Sequence, residues 1–275
     1  MPTSSLPQRR ARNRRAKIVA VALLPVVVLA ACGSDKPEAR AEPETTTTAA
    51  APVGCSSDLA DYPYHVVFAK QRGQVAVYAN PGDAVPSQTF TDPRQTDSDP
   101  PQDVPLSFLV TDEPEADDCK WINVLLPVRP NGSTGWVKRE DVSVGGQEFR
   151  IEVYLNEFNL KAYKGQELIL DAPIGVAQEN RPTPGGLYYT TELLKSADPA
   201  YGPWAFGLSG FSEVLSSFNG GQGQLGLHGT NQPERIGTRV SSGCIRLENA
   251  NIEKLVAEVG EASPQRYGIP VQVFA

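Results

Sequence analysis

Beyond residue 60 the chain alternates hydrophobic and polar positions in short runs. Tyr64–Ala69, Val75–Tyr78, Pro105–Val110, Trp121–Leu126 and Trp136–Val137 are rich in β-branched and aromatic residues, and turn pieces such as Asn80-Pro81-Gly82 and Pro130-Asn131-Gly132 separate them. That is the pattern of strands joined by tight turns. Phe149–Leu155 alternates in the same way, and Asn156–Lys164 and Glu167–Pro173 predict further strands around the Lys164-Gly165 turn. Leu187–Thr190 follows a Pro/Gly-rich piece, and Gly268–Ala275 reads as a closing strand with Val271 and Val273 on one face. Only Glu248–Val259 has the helical period: Ile252, Leu255, Val256 and Val259 fall at i, i+3, i+4 and i+7, with Asn249 as the expected N-cap and Gly260 and Pro264 as stops. Between Leu193 and Gln224 no period holds. Tyr201, Trp204, Phe206 and Phe211 stand among glycines and prolines, either capping a core or covering a cleft. Thr91–Asp103, rich in Pro, Asp and Thr, predicts a loop.

The first 60 residues follow other rules. Residues 1–32 carry six basic and no acidic residues, then a fourteen-residue apolar run, Ile18–Ala31, broken by Pro25. A membrane span needs about 18–20 apolar residues, so this run suits the hydrophobic part of a signal peptide. It ends in Leu29-Ala30-Ala31-Cys32-Gly33, which resembles a bacterial lipobox with Cys32 as the lipidated residue. The expected location is outside the cytoplasmic membrane, anchored to its outer face by lipid and facing the cell wall. Residues 33–54, with Pro, Glu, Ala and four consecutive threonines but no aromatic residue, cannot build a core and predict a disordered linker. Fully extended they would reach about 70 Å. The net charge of −7 becomes −13 once residues 1–32 are set aside. Such acidity argues against a nucleic-acid partner, which calls for a basic face.

The candidate chemistry sits in Leu225–Leu247, which reads LGLHGTNQPERIGTRVSSGCIRL and holds His228, one of two histidines, and Cys244, one of four cysteines. A free thiol is only a few per cent ionised near neutrality, and an adjacent imidazole can take its proton. Gly226 and Gly229 flank the histidine and Gly243 precedes the cysteine. Glycines let backbone N–H groups approach a reacting oxygen. Two histidines 163 residues apart, with no cysteine cluster, do not suggest a zinc site, and no metal or cofactor is implied. His65 falls at a strand start and reads as a core or surface histidine.

The run HGT…IGTRVSSGCIRL resembles the signature of L,D-transpeptidases of the YkuD/ErfK class, in which a His-Gly, a spacer and a Ser/Thr-His-Gly-Cys piece recur. Ser242 stands where that family usually has a second histidine. The piece Arg181-Pro182-Thr183-Pro184-Gly185-Gly186 also resembles the family, where it turns the chain into a strand beside the active site. The resemblance implies a predominantly all-β chain, its last part a YkuD-type β-sandwich with a few short helices. It implies Cys244 as nucleophile and His228 as base, with a backbone carbonyl near Gly229 fixing the imidazole and the N–H groups of Gly243 and Cys244 as oxyanion donors. It also implies peptidoglycan stem peptides as substrate, 3→3 cross-links as product and acylation by carbapenems. An L,D-carboxypeptidase would share the thioester and use water as acceptor, and a non-catalytic, lipid-anchored wall-binding protein is the reading outside enzymes. Arg246 either holds a substrate carboxylate or makes a structural ion pair. Ser242, Tyr188 and Trp204 are the other substrate-binding candidates.

With Cys32 expected to carry lipid and Cys244 to stay free, Cys55 and Cys119 remain for a disulfide in an oxidising compartment. The stretch from Val75 to Val142, with its Asn-Gly-Ser-Thr-Gly-Trp-Val piece, resembles a bacterial SH3-like domain, a module that binds wall polymer or packs on a catalytic domain, or else serves as a spacer that binds nothing. The expected organisation is a lipoprotein signal peptide over 1–32, a linker over 33–54, an SH3-like small barrel over 55–145 and a catalytic domain over 146–275.

Overall fold

The computed structural model describes residues 61–98, 100–116, 119–218 and 220–275. The expected signal peptide, linker, Cys32 and Cys55 lie outside the described residues. The described chain is predominantly β, with one α-helix, Asn249–Val259, and short 3-10 turns.

Residues 61–147 build a five-stranded sheet in the spatial order Thr134–Lys138, Trp121–Leu125, Ser107–Ala116, Tyr64–Ala69, Val142–Gln147. A hairpin of Gly73–Val77 and Gln88–Asp92 joins it through reciprocal 2.8 Å backbone hydrogen bonds between Tyr78 and Trp136. Val67, Val75, Val77, Phe108, Ile122, Val124 and Val137 are buried together between them. Gly135 has to be small there, because a Cβ would lie 2.4 Å from Val77. The stretch expected as a loop after Thr91 is partly ordered. Arg94–Gln95 pairs with Asp103–Val104, and the Thr96 hydroxyl accepts from the Gln102 N–H at 3.0 Å.

The remaining residues form an eight-stranded sheet, Glu167–Pro173, Asn159–Lys164, Phe149–Tyr154, Pro270–Phe274, Gly186–Lys195, Trp204–Phe211, Gln224–His228, Ile245–Arg246, and a two-stranded parallel one of Val176–Ala177 and Arg239–Ser241. The two halves of the expected sandwich are continuous through the long strand Gly186–Lys195. Its first half pairs with Pro270–Phe274 and its second, after a register shift past Thr190, with Trp204–Phe211. The sheet curls over one core, into which the helix sets Ile252, Leu255, Val256 and Val259. Burying each such side chain contributes about 1.5–3 kcal/mol.

Trp204–Phe211 is a strand that the sequence pattern conceals. Its Gly207 and Gly210 read as breakers, yet a Cβ on either would lie 2.3 Å from the Glu192 or Tyr188 side chain. The glycines make room for large neighbours on the adjacent strand. The helix start also differs from expectation. Glu248 is the N-cap, without a side-chain cap bond, and the Asn249 carboxamide oxygen accepts from the Thr230 N–H at 2.9 Å. That oxygen is turned to the His228 loop instead of the helix's own end.

The two sheets pack directly on each other within one compact unit. Tyr189 is fully buried against Leu109, Leu125 and Tyr64, and its hydroxyl donates to the Ser107 carbonyl at 3.1 Å. Arg94 pairs with the buried Glu192, and the Gln147 carboxamide donates to the carbonyls of Gln265 and Tyr267 at 2.8 and 2.9 Å.

Candidate active site

His228 ends the strand Gln224–His228. Leu225 and Leu227 of that strand point into the core, leaving Gly226 and His228 to the opposite face. Ile245–Arg246 lies parallel beside it, with Leu227 opposite Ile245 and His228 opposite Arg246. This register delivers Cys244 next to Gly226. A Cβ built on Gly226 would be 3.7 Å from the Cys244 sulfur and 3.9 Å from His228 Cδ2, so this glycine is the floor between the two.

The imidazole is held from several sides. Its Nδ1 lies 2.6 Å from the Gly229 carbonyl oxygen, which can only accept, so Nδ1 carries the proton and Nε2 the lone pair. The Gly229 backbone is held in turn by its N–H to the Trp204 carbonyl at 3.2 Å and by close packing on Gly202. A Cβ on Gly229 would lie 2.4 Å from the Asn249 oxygen. The Tyr201 ring stacks obliquely on the imidazole with centroids 4.7 Å apart. Burial pushes the His228 pKa down to about 4. The Gly229 carbonyl opposes that shift without cancelling it, and the Arg246 charge adds to it. The imidazole is therefore neutral at neutral pH.

Cys244 is a free thiol, partly exposed on a cavity wall. Its turn is fixed by three hydrogen bonds. The Ser241 hydroxyl donates to the Cys244 carbonyl, the Gly243 N–H donates to the Ser241 oxygen at 3.3 Å, and the buried Thr183 hydroxyl donates to the Gly243 carbonyl at 2.8 Å. Gly243 has φ +135°, a conformation reserved for glycine. Thr183 explains the Pro-Thr-Pro-Gly piece: the residue between the prolines anchors the Cys244 turn. Burial pushes the thiol pKa up, while a backbone hydrogen bond from Gly226 and the Arg246 charge pull the other way.

The two expected oxyanion donors are placed differently. The Gly243 N–H already serves Ser241, whereas among the described residues the Cys244 N–H has no acceptor. Ser242 is at the cavity, its hydroxyl accepting from Arg181 at 3.2 Å. Arg246 is there too. It makes no ion pair among the described residues, its Nη1 reaches only Gln232 at 3.5 Å, and its buried Nε has no partner. Tyr188 and Trp204 are not at the cavity. Tyr188 is 2% exposed in the sheet core with its hydroxyl on the Pro184 carbonyl, and Trp204 packs against the same core under Lys195. Cys119 is disulfide-bonded.

The cavity spans about 640 Å³ with its open mouth. Its lining takes Asp198, Ala200 and Tyr201 from one turn and Leu215 and Phe218 from another segment. Tyr201, one of the aromatics read from the sequence as either capping a core or covering a cleft, lines this cavity, and Asp198-Pro199 carried a usable signal for its turn. An acidic N-cap followed by proline fixes a short turn, and the Asp198 carboxylate does accept from the Ala200 N–H at 2.9 Å.

Residues 148–273, a little under half of the chain, match the family model of YkuD, described as L,D-transpeptidase catalytic domain. Two curated relatives carry the name "Putative L,D-transpeptidase YkuD". The one from Bacillus licheniformis is 31% identical over 111 residues, covering 40% of this chain and 60% of the relative. The one from Bacillus subtilis is 29% identical over 118 residues, covering 43% and 58%. The chain thus spans less than two thirds of the length of either. Among solved structures, the Enterococcus faecium L,D-transpeptidase C442S mutant aligns with a TM-score of 0.36 at 22% identity, covering 48% of this chain and 55% of that one. An L,D-transpeptidase from Mycobacterium smegmatis aligns at 0.36 and 14%, covering 62% and 90%. At such scores the structural likeness carries no further argument.

Proposed function

We propose that the chain is a peptidoglycan L,D-transpeptidase that forms 3→3 cross-links through a thioester on Cys244. One observation carries the reading. A free thiol and a neutral imidazole lie on one cavity wall on either side of Gly226, with Nδ1 committed to the Gly229 carbonyl so that only Nε2 faces a reaction.

His228 Nε2 takes the thiol proton as the Cys244 sulfur attacks the carbonyl of the third residue of a tetrapeptide stem. The Cys244 N–H stabilises the oxyanion as it forms. The C–N bond to the terminal D-Ala breaks, the imidazolium returns its proton to the leaving amine, and a thioester remains. The side-chain amine of a neighbouring stem then attacks the thioester. His228 takes a proton from that amine, the C–S bond breaks, and the sulfur leaves as thiolate and recovers the proton from the imidazolium. Gly229 acts as the third partner that orients the base. The Arg246 cation, which meets no carboxylate among the described residues, suits a substrate carboxylate. In this reading Ser242 hydrogen-bonds beside the nucleophile in place of a second histidine. We further infer that Cys32 carries a lipid anchor at the outer face of the cytoplasmic membrane, that Cys119 pairs with Cys55, and that the first sheet unit is an SH3-like module.

The test is incubation of the protein and its Cys244→Ala variant with a disaccharide-tetrapeptide and with a carbapenem, read by mass spectrometry. Transpeptidation requires D-Ala release, a 3→3 dimer and a carbapenem adduct, all lost in the variant. D-Ala release with tripeptide alone would assign an L,D-carboxypeptidase. Neither adduct nor release would leave a wall-binding protein.

A further inference from the structure

Ser212, Leu215, Phe218 and Gly223 of the cavity lining come from one loop, whose described residues bury little of their own. Val214 and Phe218 are 54% and 41% exposed. Its ends are closed by the Ser212 N–H on the Gly223 carbonyl at 2.8 Å, and Phe218 and Gly221 exchange backbone bonds. Its further ties come from the first sheet unit. Arg129 Nη2 donates to three of its carbonyls, Ser212 at 3.1 Å, Leu215 at 2.9 Å and Gln222 at 2.9 Å. The same guanidinium lies 4.7 Å over the ring of Phe211, at the loop's start. Asn131 pairs with Phe211 in both directions. Its amide donates to the Phe211 carbonyl and its oxygen accepts the Phe211 N–H, each at 2.8 Å. Asp97, also from the first unit, accepts from the Gln222 N–H at 3.2 Å. The loop is shaped to receive this anchor: Gly223 has φ +72°, and a Cβ on it would lie 2.5 Å from the Leu215 carbonyl and 3.4 Å from Arg129 Nη2.

Charge-assisted hydrogen bonds to three carbonyls fix a strand of backbone more firmly than neutral ones, and a planar fork that also stacks on an aromatic ring fixes its orientation. Ser212, Leu215, Phe218 and Gly223 line the same cavity as Cys244 and His228. We propose that Arg129 and Asn131 are positioning residues of the candidate active site, through which the N-terminal sheet unit sets the wall against which substrate is bound. The proposal rests on the reading of this cavity as the active site. It gives the first unit a part in the site whatever else that unit binds.

The experiment compares the full-length protein with Arg129→Ala, Arg129→Lys and Asn131→Ala. The first readout is the rate of Cys244 alkylation by iodoacetamide, followed on the Cys244 peptide by mass spectrometry, which needs no catalysis. The second is the split between KM and kcat on the tetrapeptide stem. Far-UV circular dichroism checks that each variant is folded. A loosened wall opens the cavity, so Arg129→Ala should be alkylated about fivefold faster. Its KM should rise about tenfold while kcat stays within about twofold, because the dyad itself is untouched. Arg129→Lys should fall between, since an ammonium keeps the charge but not the planar group that lies over Phe211. A purely structural role would lower the melting temperature without this split or this partial rescue. Should Arg129→Ala not fold, Arg129→Lys and Asn131→Ala carry the same test. Folded variants with parental alkylation rate and parental KM overturn the proposal. If the parent turns over no stem peptide, the functional reading falls while the alkylation rates still decide this one.

Discussion

At the scale of single residues, the site is defined by what burial does to two titrating groups. Desolvation lowers the His228 pKa to about 4 and raises that of the Cys244 thiol, and in both cases it outweighs the backbone hydrogen bond that opposes it. At rest the pair is a thiol and a neutral imidazole, not an ion pair. In the proposed reaction the thiolate then forms as the bond to substrate forms. Two outcomes follow. The rate of Cys244 alkylation should climb about tenfold per pH unit from 6 to 9, as expected of a thiol with no low-pH thiolate. A plateau below pH 7 would show an ion pair instead. Stability should also respond. Because the His228 pKa is lower in the folded state than its usual 6.5, the unfolded chain binds the proton first as pH falls. Stability held above pH 6.5 is lost between there and about 4, by the order of 3 kcal/mol for this one group. Urea unfolding at pH 7 and pH 4 should show that loss in the parent, and a smaller one in His228→Gln.

At the scale of elements, the same residue types mean different things according to what faces them. The candidate pair is legible in the sequence because His228 and Cys244 stand at the ends of two short strands with glycines beside each, a pattern set by local chain geometry. The aromatic candidates are not, because which face a strand residue occupies depends on what covers the sheet. In Gly186–Lys195 both faces are covered, so Tyr188 and Tyr189 are both buried, one in the core of the eight-stranded sheet and the other against the first unit. No period of two survives to tell them apart. The hidden strand Trp204–Phe211 has the same cause. Its Gly210 answers to a ring on the next strand, which the sequence places some twenty residues away. Gly210→Ala should therefore cost about 1–3 kcal/mol, the range for forcing extra volume into a packed core. Chemical denaturation checks it, and parental stability would mean that the Tyr188 ring can move aside. Asn249 behaves in the opposite way to its sequence reading. Since its oxygen satisfies Thr230 N–H and not the helix start, Asn249→Ala should impair the site as well as the fold. Orphaning that N–H costs about 1–3 kcal/mol and frees the Gly229 carbonyl that orients His228. A matched Asn249→Asp variant, which keeps an acceptor oxygen, should recover most of the activity.

At the scale of the whole molecule, the two sheets are joined by more than a linker. The strand Val142–Gln147, which leads into the second sheet, pairs along its length with Tyr64–Ala69 of the first. Between the sheets, Tyr189 fills a cluster with Leu109, Leu125 and Tyr64, and Arg94 meets a Glu192 that is 5% exposed. Burial raises the Glu192 pKa and the Arg94 charge opposes it, so the carboxylate depends on its partner from the other sheet. An unpaired charge in that position is costly, about 3–5 kcal/mol when one member of a buried pair is removed. These contacts couple the stability of one sheet to that of the other. Calorimetry should accordingly show a single transition over the described region, with calorimetric and van 't Hoff enthalpies in agreement. Tyr189→Phe removes only the hydroxyl and leaves the ring in place, so it should lower stability by about 1 kcal/mol and keep one transition. Arg94→Ala should do more. It strands Glu192 at the contact, and the sheet holding the anchor at Arg129 would then melt ahead of the sheet holding Cys244. Two resolved transitions in Arg94→Ala, restored to one in an Arg94→Met, Glu192→Met double variant that fills the same space without charge, would establish that this buried pair is the coupling. A single parental transition in Arg94→Ala would place the coupling in the Tyr189 cluster alone.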